Sequence, residues 1–421
     1  MVFVPTGVIQ ILSLAYPALV NNPMTINILT DTNICSIIIP EMDALSKLQD
    51  LSTNTQLEAA EDLGCPQLSV KQQDALNVSH AMLPNGKHIH LLKTMLTSAC
   101  EKDCHYCGFR SGRDLRRATL KPDEMAQAFM AIHRAGVVDG MFLSSGVAGG
   151  GVKTQDHLLA TAEILRRKHA FRGYLHLKLM PGVQKAQVEQ AMQLADRVSL
   201  NLEGPNTLRL EQLAPHKAFM EELLQPLKWM EEIRNTQNSH LGWNGRWPSM
   251  STQFVVGAVG ESDLELISTT EYLHQKLRLG RAYFMAFNPL KDTPFENLPP
   301  VSPVRELHLY QASFLIRDYG FSLEELPFTP DGSLPEKIDP KTAWAEENLN
   351  EKPIEINLAT PEELVRIPGI GPKGALAILA ARKKGGISNL EALRKIGVNP
   401  TRPARYILLN GRQPDYQLGL W

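Results

Sequence analysis

The sequence is poor in cysteine: its 421 residues include only five, and their spacing along the chain is uneven. Small secreted domains that depend on disulfides carry many regularly placed cysteines, so this chain has no such framework. We therefore expect a cytoplasmic protein in a reducing compartment. Three of the five cysteines nevertheless lie close together, in the stretch TSACEKDCHYCGF, and that cluster needs a chemical explanation.

Long apolar runs are also absent, and so is charge at the start of the chain. The first 30 residues carry no charged side chain, and their run VIQILSLAYPALV is too short to span a bilayer and lacks the basic flank of a signal peptide. We expect no membrane partner. Residues 1–41 are assigned to a leader of uncertain role, and residues 42–85 to a helical lead-in.

Apolar strand-like runs alternate with helical patterns between residues 86 and 320. The six runs are HIHLLKTML, GMFLSSG, GYLHLKLM, RVSLNLEG, STQFVVGAVG and RAYFMAFNPL, which indicate βα units and a parallel sheet. Apolar residues in two of them alternate with His176 and Lys178, and with Ser199, Asn201 and Glu203. A purely structural barrel fills its interior with branched apolar side chains, so this polar face predicts a ligand site.

Cys100, Cys104 and Cys107 follow the first strand-like run at C-x3-C-x2-C spacing, and Tyr106 directly precedes the last of them. Structural zinc usually takes four protein ligands in two pairs, and the chain has no second C-x2-C. Thioredoxin-like chemistry needs two cysteines and leaves Cys100 unexplained. An iron–sulfur cluster is the remaining strong candidate, because thiolates are its usual ligands. Three ligands on a four-iron cluster leave one iron open to a small molecule.

This arrangement resembles the radical S-adenosylmethionine (radical SAM) enzymes, whose three cysteines follow the first strand of a barrel. The resemblance covers about residues 86–320. It implies an α/β fold: a partial (β/α)6, TIM-like radical SAM barrel, followed by a small all-α helix-hairpin-helix domain. It also implies that Cys100, Cys104 and Cys107 hold a [4Fe-4S] cluster, that S-adenosylmethionine is the second cofactor, and that an electron donor such as flavodoxin or ferredoxin is a partner.

The resemblance also assigns contacts to S-adenosylmethionine. The assigned residues are Tyr106, Ser144, Ser145, Gly146, Ser199, Asn201, Glu203 and Gly257. In the family, one electron from the reduced cluster breaks the sulfonium S–C5′ bond and gives methionine and a 5′-deoxyadenosyl radical. That radical removes an unactivated hydrogen from the substrate, while the protein binds, orients and excludes water. The resemblance names no catalytic residue beyond these contacts.

The C-terminal part of the chain carries a second motif. Residues 321–353 are predicted to be a proline-containing connector, and residues 354–411 a compact module in which INLATPEELVRIPGIGPKGALAILAARKKGG forms helix, tight turn and helix. Thr360 and Glu363 are predicted to form a capping box. The stretch closely resembles the helix-hairpin-helix DNA-binding motif, whose turn directs backbone N–H groups at a phosphate. The DNA contacts are placed at Gly369, Ile370, Gly371 and Lys373.

Local charge agrees with a nucleic-acid partner. Residues 351–412 contain eleven Lys or Arg against five Asp or Glu. Further basic residues follow the cysteines: Arg110, Arg113, Arg116, Arg117 and Lys121. Basic segments favour a phosphate-bearing substrate, and hairpins of this type contact the backbone rather than the bases.

Together the two motifs resemble a narrower family, the radical SAM proteins with a C-terminal helix-hairpin-helix that are associated with DNA modification or repair. We therefore predict a radical SAM enzyme that modifies or repairs DNA. Two alternatives stay open: a DNA-binding iron–sulfur redox sensor without turnover, and a radical SAM enzyme that modifies RNA. A methylthiotransferase is disfavoured, because it needs a second three-cysteine cluster and only Cys35 and Cys65 remain.

Residues 412–421 form a tail that ends in PDYQLGLW. The segment Gln417–Trp421 resembles the short peptide with which bacterial repair and replication proteins bind the sliding clamp. A glutamine, a leucine and a terminal leucine–aromatic pair enter one apolar groove there, which gives modest and reversible affinity. The alternative is that Trp421 packs back onto the module.

Overall fold

The computed structural model describes residues 44–52, 76, 78–82, 86 and 88–415. These residues divide into two compact units. The first unit comprises the described residues up to Phe254 together with Leu277–Pro299. The second comprises Val255–Lys276 together with the described residues from Pro300 onward. The predicted leader at residues 1–41 lies outside the described residues.

A seven-stranded sheet forms the body of the first unit. In spatial order its strands are β1 (Val78–Met82), β2 (His88–Met95), β3 (Gly140–Ser144), β4 (Tyr174–Lys178), β5 (Arg197–Ser199), β6 (Ser249–Val256) and β7 (Arg281–Ala286). β1 pairs antiparallel with β2, and β2 to β6 pair in parallel. β2 to β7 fall on the six predicted runs, so the predicted α/β partial barrel is confirmed. Within residues 42–85, predicted to be helical, residues 44–52 are helical but β1 is a strand.

Helices connect the parallel strands, as the βα pattern predicts. They are α1 (Pro122–Arg134), α2 (Gly151–Glu163), α3 (Lys185–Leu194), α4 (Thr207–Leu213) and α5 (Gln225–Thr236). α1 begins at a proline, and the Glu124 carboxylate accepts a hydrogen bond from the Lys121 N–H at 2.8 Å, which caps the first turn. π-helical turns follow α2, at Ile164–Lys168, and precede α5, at Phe219–Leu224.

The alternating pattern of β4 and β5 separates apolar from polar side chains. Leu175 and Leu177 of β4 and Val198 of β5 are fully buried. On the opposite face, His176 Nε2 lies 2.8 Å from Ser199 Oγ, and the His176 ring contacts Phe142 with ring centroids 4.4 Å apart. Because successive side chains of a strand point to opposite faces, one sheet face is apolar and the other carries the predicted site residues.

The second unit is mostly helical. Its helices are α6 (Asp263–Leu277), α7 (Pro303–Tyr319), α8 (Pro340–Asn348), α9 (Pro361–Arg366), α10 (Pro372–Arg382) and α11 (Leu390–Lys395), and two short strands, β8 (Ile354–Glu355) and β9 (Ile407–Leu408), pair in parallel. Asp263 at the start of α6 accepts from Arg305 Nε at 2.7 Å and from the Leu334 N–H at 2.8 Å. No helix in the described part of the chain is long and apolar enough to cross a membrane.

One apolar core joins α8 to the C-terminal helices. It contains Ala345 and Leu349 from the end of α8 together with Ile356, Leu364, Ile367, Ile378, Leu393 and Ile407. Arg366 on α9 reinforces the packing, since its guanidinium binds both carboxylate oxygens of Glu325, at 2.7 and 2.9 Å. α8 lies within the predicted connector at 321–353, yet it packs into the core of the helix-hairpin-helix module.

Candidate active site and candidate nucleic-acid interface

The three clustered cysteines lie in the loop between β2 and α1. None of the three forms a disulfide; Cys104 is buried, and Cys100 and Cys107 are half-buried. The loop is folded onto itself by backbone hydrogen bonds, from Cys107 N to Cys104 O at 3.3 Å and from Ser111 N to Lys102 O at 2.8 Å. Three reduced thiols in one short, ordered loop are the donor set that an iron–sulfur cluster takes, so the residues present fit that group.

Arg117 fixes this loop through its carbonyl groups. The guanidinium donates to Ser98 O at 2.5 Å and to Phe109 O at 2.9 Å. Arg113 acts similarly and donates to Gly108 O at 2.8 Å. Two of the basic residues that the sequence marks as a phosphate-facing segment therefore support the cysteine loop.

Gly146 allows the cysteine loop to lie directly against the end of β3. Its N–H donates to Thr97 O at 2.7 Å. A Cβ at this position would lie 2.2 Å from Ala99 O and 3.2 Å from Cys100 Cβ, so no side chain fits. The structure thus brings Gly146, a predicted contact of S-adenosylmethionine, next to the first cysteine.

Two serines and a glutamate also lie where the cysteine loop meets the end of β3. Ser144 is fully buried, and Ser145 is 8% exposed and donates from Oγ to Gly146 O at 2.8 Å. Glu101 of the cysteine loop accepts from the Gly149 N–H at 3.0 Å in the turn before α2. The predicted Ser144-Ser145-Gly146 segment and the cysteine loop therefore form one ordered surface.

A buried carboxylate connects the cysteine loop to the segment after β5. Glu203 Oε2 accepts from Tyr106 OH at 2.5 Å, and Oε1 accepts from Lys217 Nζ at 3.0 Å. The Glu203 and Lys217 side chains are only 6% and 9% exposed. Both oxygens of Glu203, a predicted S-adenosylmethionine contact, are thus bound by protein groups. The sequence reading missed Lys217, which lies in LAPHKAFM outside every motif, and no spacing in the sequence marks it.

Burial and charge compete in this network. Burial alone would raise the pKa of Glu203, but the charges of Lys217 and Lys178 and the hydrogen bonds from Tyr106 and Lys217 outweigh it, and the pKa lies below its usual range. Burial alone would lower the pKa of Lys217, but Cys104 and Glu203 hold that pKa above its usual range. Burial, reinforced by Glu203, raises the pKa of Tyr106. The phenol is therefore neutral and Glu203 and Lys217 are charged at neutral pH.

Two buried polar atoms, one on β6 and one just after β5, have no hydrogen-bond partner. Within the described residues, Asn201 Oδ1 and Ser251 Oγ accept or donate no hydrogen bond to protein. Ser251 is the sheet neighbour of Ser199, whose own Oγ is bound to His176. Leaving a buried polar group unpaired costs about 1–3 kcal/mol, so these atoms fit a polar ligand on this face of the sheet.

Gly257 lies in the second unit, directly after β6. Its φ of 89° is in the left-handed region, and a Cβ here would lie 2.3 Å from a methyl group of Val301. The Gly257 N–H donates to the Glu261 carboxylate, which also accepts from the Val259 N–H. Close packing and a positive φ explain this glycine without a ligand. Glu261, which organises the turn, was not identified from the sequence.

The helix-hairpin-helix begins as the sequence predicts. Thr360 Oγ1 accepts from the Glu363 N–H at 3.2 Å, and the Glu363 carboxylate accepts from the Thr360 N–H at 2.7 Å, which confirms the capping box. Gly369 in the turn between α9 and α10 and Lys373 at the start of α10 are exposed. The Gly369 φ of 84° is accessible to glycine at little cost.

Ile370 and Gly371 are less accessible than Gly369 in the same turn. The Ile370 side chain is fully buried, its N–H donates to Ile367 O at 3.0 Å, and its carbonyl accepts from Lys341 Nζ at 2.6 Å. A Cβ at Gly371 would lie 3.0 Å from Tyr319 OH. Both backbone groups of Ile370 are thus used inside the protein, which leaves Gly369, Gly371 and Lys373 as the accessible part of the predicted DNA-contact set.

Four arginines of this module bind groups within the protein. Arg366, Arg402 and Arg405 pair with Glu325, Asp339 and Glu346, and Arg382 donates to the carbonyls of Ala359 and Ile356. In the described part of the chain Lys373, Lys383, Lys384 and Lys395 are exposed and have no ion-pair partner. The charge available to a nucleic acid is therefore smaller than the sequence count suggests, and lysine supplies most of it.

Two family models match the chain. The model of the radical SAM superfamily matches residues 94–246, and the model of the helix-hairpin-helix motif matches residues 349–398. The chain therefore carries a radical SAM domain and a helix-hairpin-helix motif, as the sequence predicts. The family implies a [4Fe-4S] cluster and S-adenosylmethionine as cofactors, and the hairpin motif is one that contacts nucleic acids.

Individual relatives are distant. An uncharacterized protein of Methanocaldococcus jannaschii is 24% identical over 232 residues, which are 52% of this chain and 55% of that protein. The HydG maturase of Carboxydothermus hydrogenoformans shares 18% identity at a TM-score of 0.43, covering 54% of this chain and 51% of its own. Methylornithine synthase (PylB) shares 14% identity at a TM-score of 0.43, covering 54% and 61%. Likenesses this weak transfer no substrate.

Proposed function

We propose that this protein is a radical SAM enzyme that modifies or repairs DNA. One observation carries the proposal: a radical SAM domain with three cysteines in the loop after its first parallel strand shares a chain with a helix-hairpin-helix whose second helix begins with an exposed lysine. The domain is suited to radical chemistry, and the hairpin to holding a phosphate backbone without reading its sequence.

The cofactors occupy the cysteine loop and the polar sheet face in this proposal. Cys100, Cys104 and Cys107 hold a [4Fe-4S] cluster, and together with bound S-adenosylmethionine the cluster supplies a 5′-deoxyadenosyl radical. The chain's own residues bind and orient the cofactor and exclude water from it. The fixed loop geometry that Gly146 imposes supports this assignment.

The S-adenosylmethionine contacts are assigned to residues around the cysteine loop and the ends of β3, β5 and β6. They are Tyr106, Ser144, Ser145, Gly146, Ser199, Asn201, Glu203 and Gly257. The unpaired Oδ1 of Asn201 gives direct support for one of them. Glu203 acts through Tyr106, because both of its oxygens are already bound. Gly257 rests on the sequence resemblance alone.

The DNA contacts are assigned to Gly369, Ile370, Gly371 and Lys373. Gly369 and Gly371 offer backbone at the N-terminus of α10, and Lys373 adds a positive charge in the first turn of that helix. Ile370 contributes indirectly: its side chain is buried in the module core and holds the turn in place. Neighbouring exposed lysines extend the same electrostatic attraction.

The remaining partners are part of the same proposal. A flavodoxin or ferredoxin supplies the electron, and the cytoplasm supplies the reducing compartment that free thiols require. The tail Gln417–Trp421 docks on a sliding clamp. These five residues lie outside the described residues, so a clamp titration with a peptide of residues 411–421, against the same peptide with Leu420 and Trp421 replaced by alanine, is the test.

The decisive experiment is anaerobic reconstitution followed by a 5′-deoxyadenosine assay. The protein is reconstituted with iron and sulfide, reduced, and supplied in parallel with duplex DNA, damaged DNA, single-stranded DNA and RNA. We expect S-adenosylmethionine cleavage that DNA stimulates. Alanine at Cys100, Cys104 and Cys107 should abolish cleavage and cluster, whereas the matched control Cys65→Ala should retain both.

Each other outcome changes the conclusion. A cluster that forms without any 5′-deoxyadenosine would indicate a DNA-binding redox sensor. Stimulation by RNA alone would move the substrate class to RNA. Loss of the cluster in Cys65→Ala would show that the ligand assignment is wrong.

A further inference from the structure

The segment after α4 is bound directly to the cysteine loop. The His105 N–H donates to Leu213 O at 2.8 Å, and Lys102 Nζ donates to His216 O at 2.7 Å. These bonds hold Leu213, at the end of α4, and His216, which directly precedes Lys217, against the cysteine loop. The Lys217 side chain extends inward and is only 9% exposed.

Lys217 is paired with an acid that is itself bound to the cysteine loop. Its Nζ is 3.0 Å from Glu203 Oε1, and the other oxygen of Glu203 accepts from the hydroxyl of Tyr106, the residue directly before Cys107. The buried charge of Lys217 is therefore held against the cysteine loop, in a site that excludes most water.

We propose that Lys217 tunes the reduction potential of the cluster held by the cysteine loop, because it keeps a buried positive charge against that loop, and that Glu203 limits how much of this charge the cluster experiences. Lys217 acts in this proposal through its charge alone and does not itself react. The inference rests on the proposed function only in requiring that Cys100, Cys104 and Cys107 hold a [4Fe-4S] cluster.

The physical reason is electrostatic. A one-electron reduction adds one negative charge to the cluster; the electron comes from an external low-potential donor, no bond breaks and no proton moves. A fixed positive charge nearby stabilises the product of that step, and more strongly where water is excluded. Net charge and hydrogen bonds to the sulfurs are known determinants of iron–sulfur potentials. Glu203 carries the opposite charge, so removing it should have the opposite effect.

The arrangement has a cost that a purely structural role does not require. Burying an ion pair is expensive, and well-packed apolar residues often replace such pairs without loss of stability. Glu203 also has a φ of 64°, a left-handed conformation that a side chain adopts at some energetic cost. A functional role for the charge beside the cysteine loop explains why the buried Glu203–Lys217 ion pair is present at this position.

The test is a redox titration of the reconstituted protein, monitored by electron paramagnetic resonance, without DNA and without S-adenosylmethionine. Five proteins are compared with the wild type: Lys217→Met, Lys217→Arg, Glu203→Gln, the double variant Lys217→Met/Glu203→Gln, and the control Lys185→Met. Lys185 forms an exposed ion pair with Glu232 at 2.6 Å and so reports the effect of losing an ordinary lysine pair. Iron and sulfide content is measured in each protein.

We expect an ordered series of midpoint potentials. Glu203→Gln should lie above the wild type and Lys217→Met below it, with the double variant between them and Lys217→Arg close to the wild type. We expect Lys217→Met to lower the equilibrium constant for one-electron reduction about tenfold, which is about 59 mV. The midpoint potential of Lys185→Met should equal that of the wild type.

Opposite shifts from the two single variants cannot come from general damage to the loop. Equal potentials in all proteins that carry a cluster would overturn the proposal, and so would shifts of the same sign. If Lys217→Met binds no iron, the double variant takes its place, because it also removes the charge that would be left unpaired on Glu203. Its midpoint potential should then lie below that of Glu203→Gln. A wild-type protein that forms no cluster would instead overturn the proposed function.

Discussion

Gly146 is the residue at which the geometry of the cysteine loop is most constrained. The loop passes so close to the end of β3 that a Cβ would lie 2.2 Å from Ala99 O, a backbone atom that cannot rotate away. We expect Gly146→Ala to displace the loop around Cys100. The protein should lose most of its reconstituted iron, and the overpacking should cost about 1–3 kcal/mol of unfolding free energy.

Iron analysis and thermal melting check this prediction, with Gly374→Ala as the control. A Cβ at Gly374 would lie 3.4 Å from Val398 Cγ2, which is close to ordinary contact, so its cluster content should be unchanged. Full iron content in Gly146→Ala would mean that the loop adapts and that the site tolerates a side chain there.

At this scale the sequence predicted a ligand set but not what surrounds it. Cys100, Cys104 and Cys107 are predicted as the ligands because a cluster needs its thiolates close together, and the structure places all three in one short loop. Lys217 could not, because it reaches the site through the fold, 14 residues beyond its partner Glu203. Arg117 was assigned to an open basic segment, since its carbonyl partners depend on how the loop closes.

The hairpin turn between α9 and α10 is the element on which DNA binding is predicted to depend. Bulky substitutions of Gly369 would not test it cleanly, because a Cβ there would lie 2.9 Å from Pro403 Cδ and would disturb folding. Lys373→Gln removes one exposed charge and leaves the turn intact. We expect weaker binding to all DNA sequences and a salt dependence, log K against log salt, that is shallower by about 0.9.

Fluorescence anisotropy at several salt concentrations measures that slope, and Lys276→Gln on α6, also an exposed lysine, is the control. Equal slopes for both variants and the wild type would remove Lys373 from the interface. A loss confined to one DNA sequence would mean that the hairpin reads bases.

α8 gives the second unit a predicted pH dependence through Lys341. Burial, reinforced by the charge of Arg402 and opposed by Asp339, lowers the pKa of Lys341 to about 7. In the unfolded chain the pKa returns to about 10.4, so between these values the unfolded chain binds more protons than the folded one. The free energy of unfolding should therefore rise with pH from about 7 to about 10.4, and be lowest below pH 7.

Melting curves of the wild type and Lys341→Met at pH 6.5 and 9.5 check the sign. The wild type should gain stability between these pH values by more than the variant does, and each unit of pKa shift corresponds to about 1.4 kcal/mol. The variant also loses the bond to Ile370 O, but that loss is present at both pH values. An equal gain in both proteins would contradict the assignment.

Elements with a repeated pattern could be predicted, and those defined by tertiary packing could not. β2 to β7 have apolar runs bounded by helical segments, which is enough to place them. β1 has no such signal, and it is held by its antiparallel pairing with β2. α8 begins with a proline after Asp339 and was assigned to a connector; its place in the module depends on Ala345 and Leu349 entering a core that sequence periodicity alone does not reveal.

For the whole molecule, the division into two compact units predicts that the two proposed activities, S-adenosylmethionine cleavage and DNA binding, can be removed separately. The cysteine loop belongs to the first unit and the hairpin to the second, and each is held by contacts within its own unit. Alanine at Cys100, Cys104 and Cys107 should therefore abolish S-adenosylmethionine cleavage and leave DNA affinity and its salt dependence unchanged. Lys373→Gln should weaken DNA binding and leave the basal cleavage measured without DNA at the wild-type rate.

Both variants are compared with the wild type by anisotropy and by 5′-deoxyadenosine formation, with and without duplex DNA. DNA-stimulated cleavage should be lost in both, because stimulation needs the radical site and the hairpin in the same protein. In Lys373→Gln, raising the DNA concentration should restore it, since only affinity has changed. Loss of DNA binding in the cysteine variant would show that the cluster is needed to form the nucleic-acid interface, and the two units would then not be functionally separable.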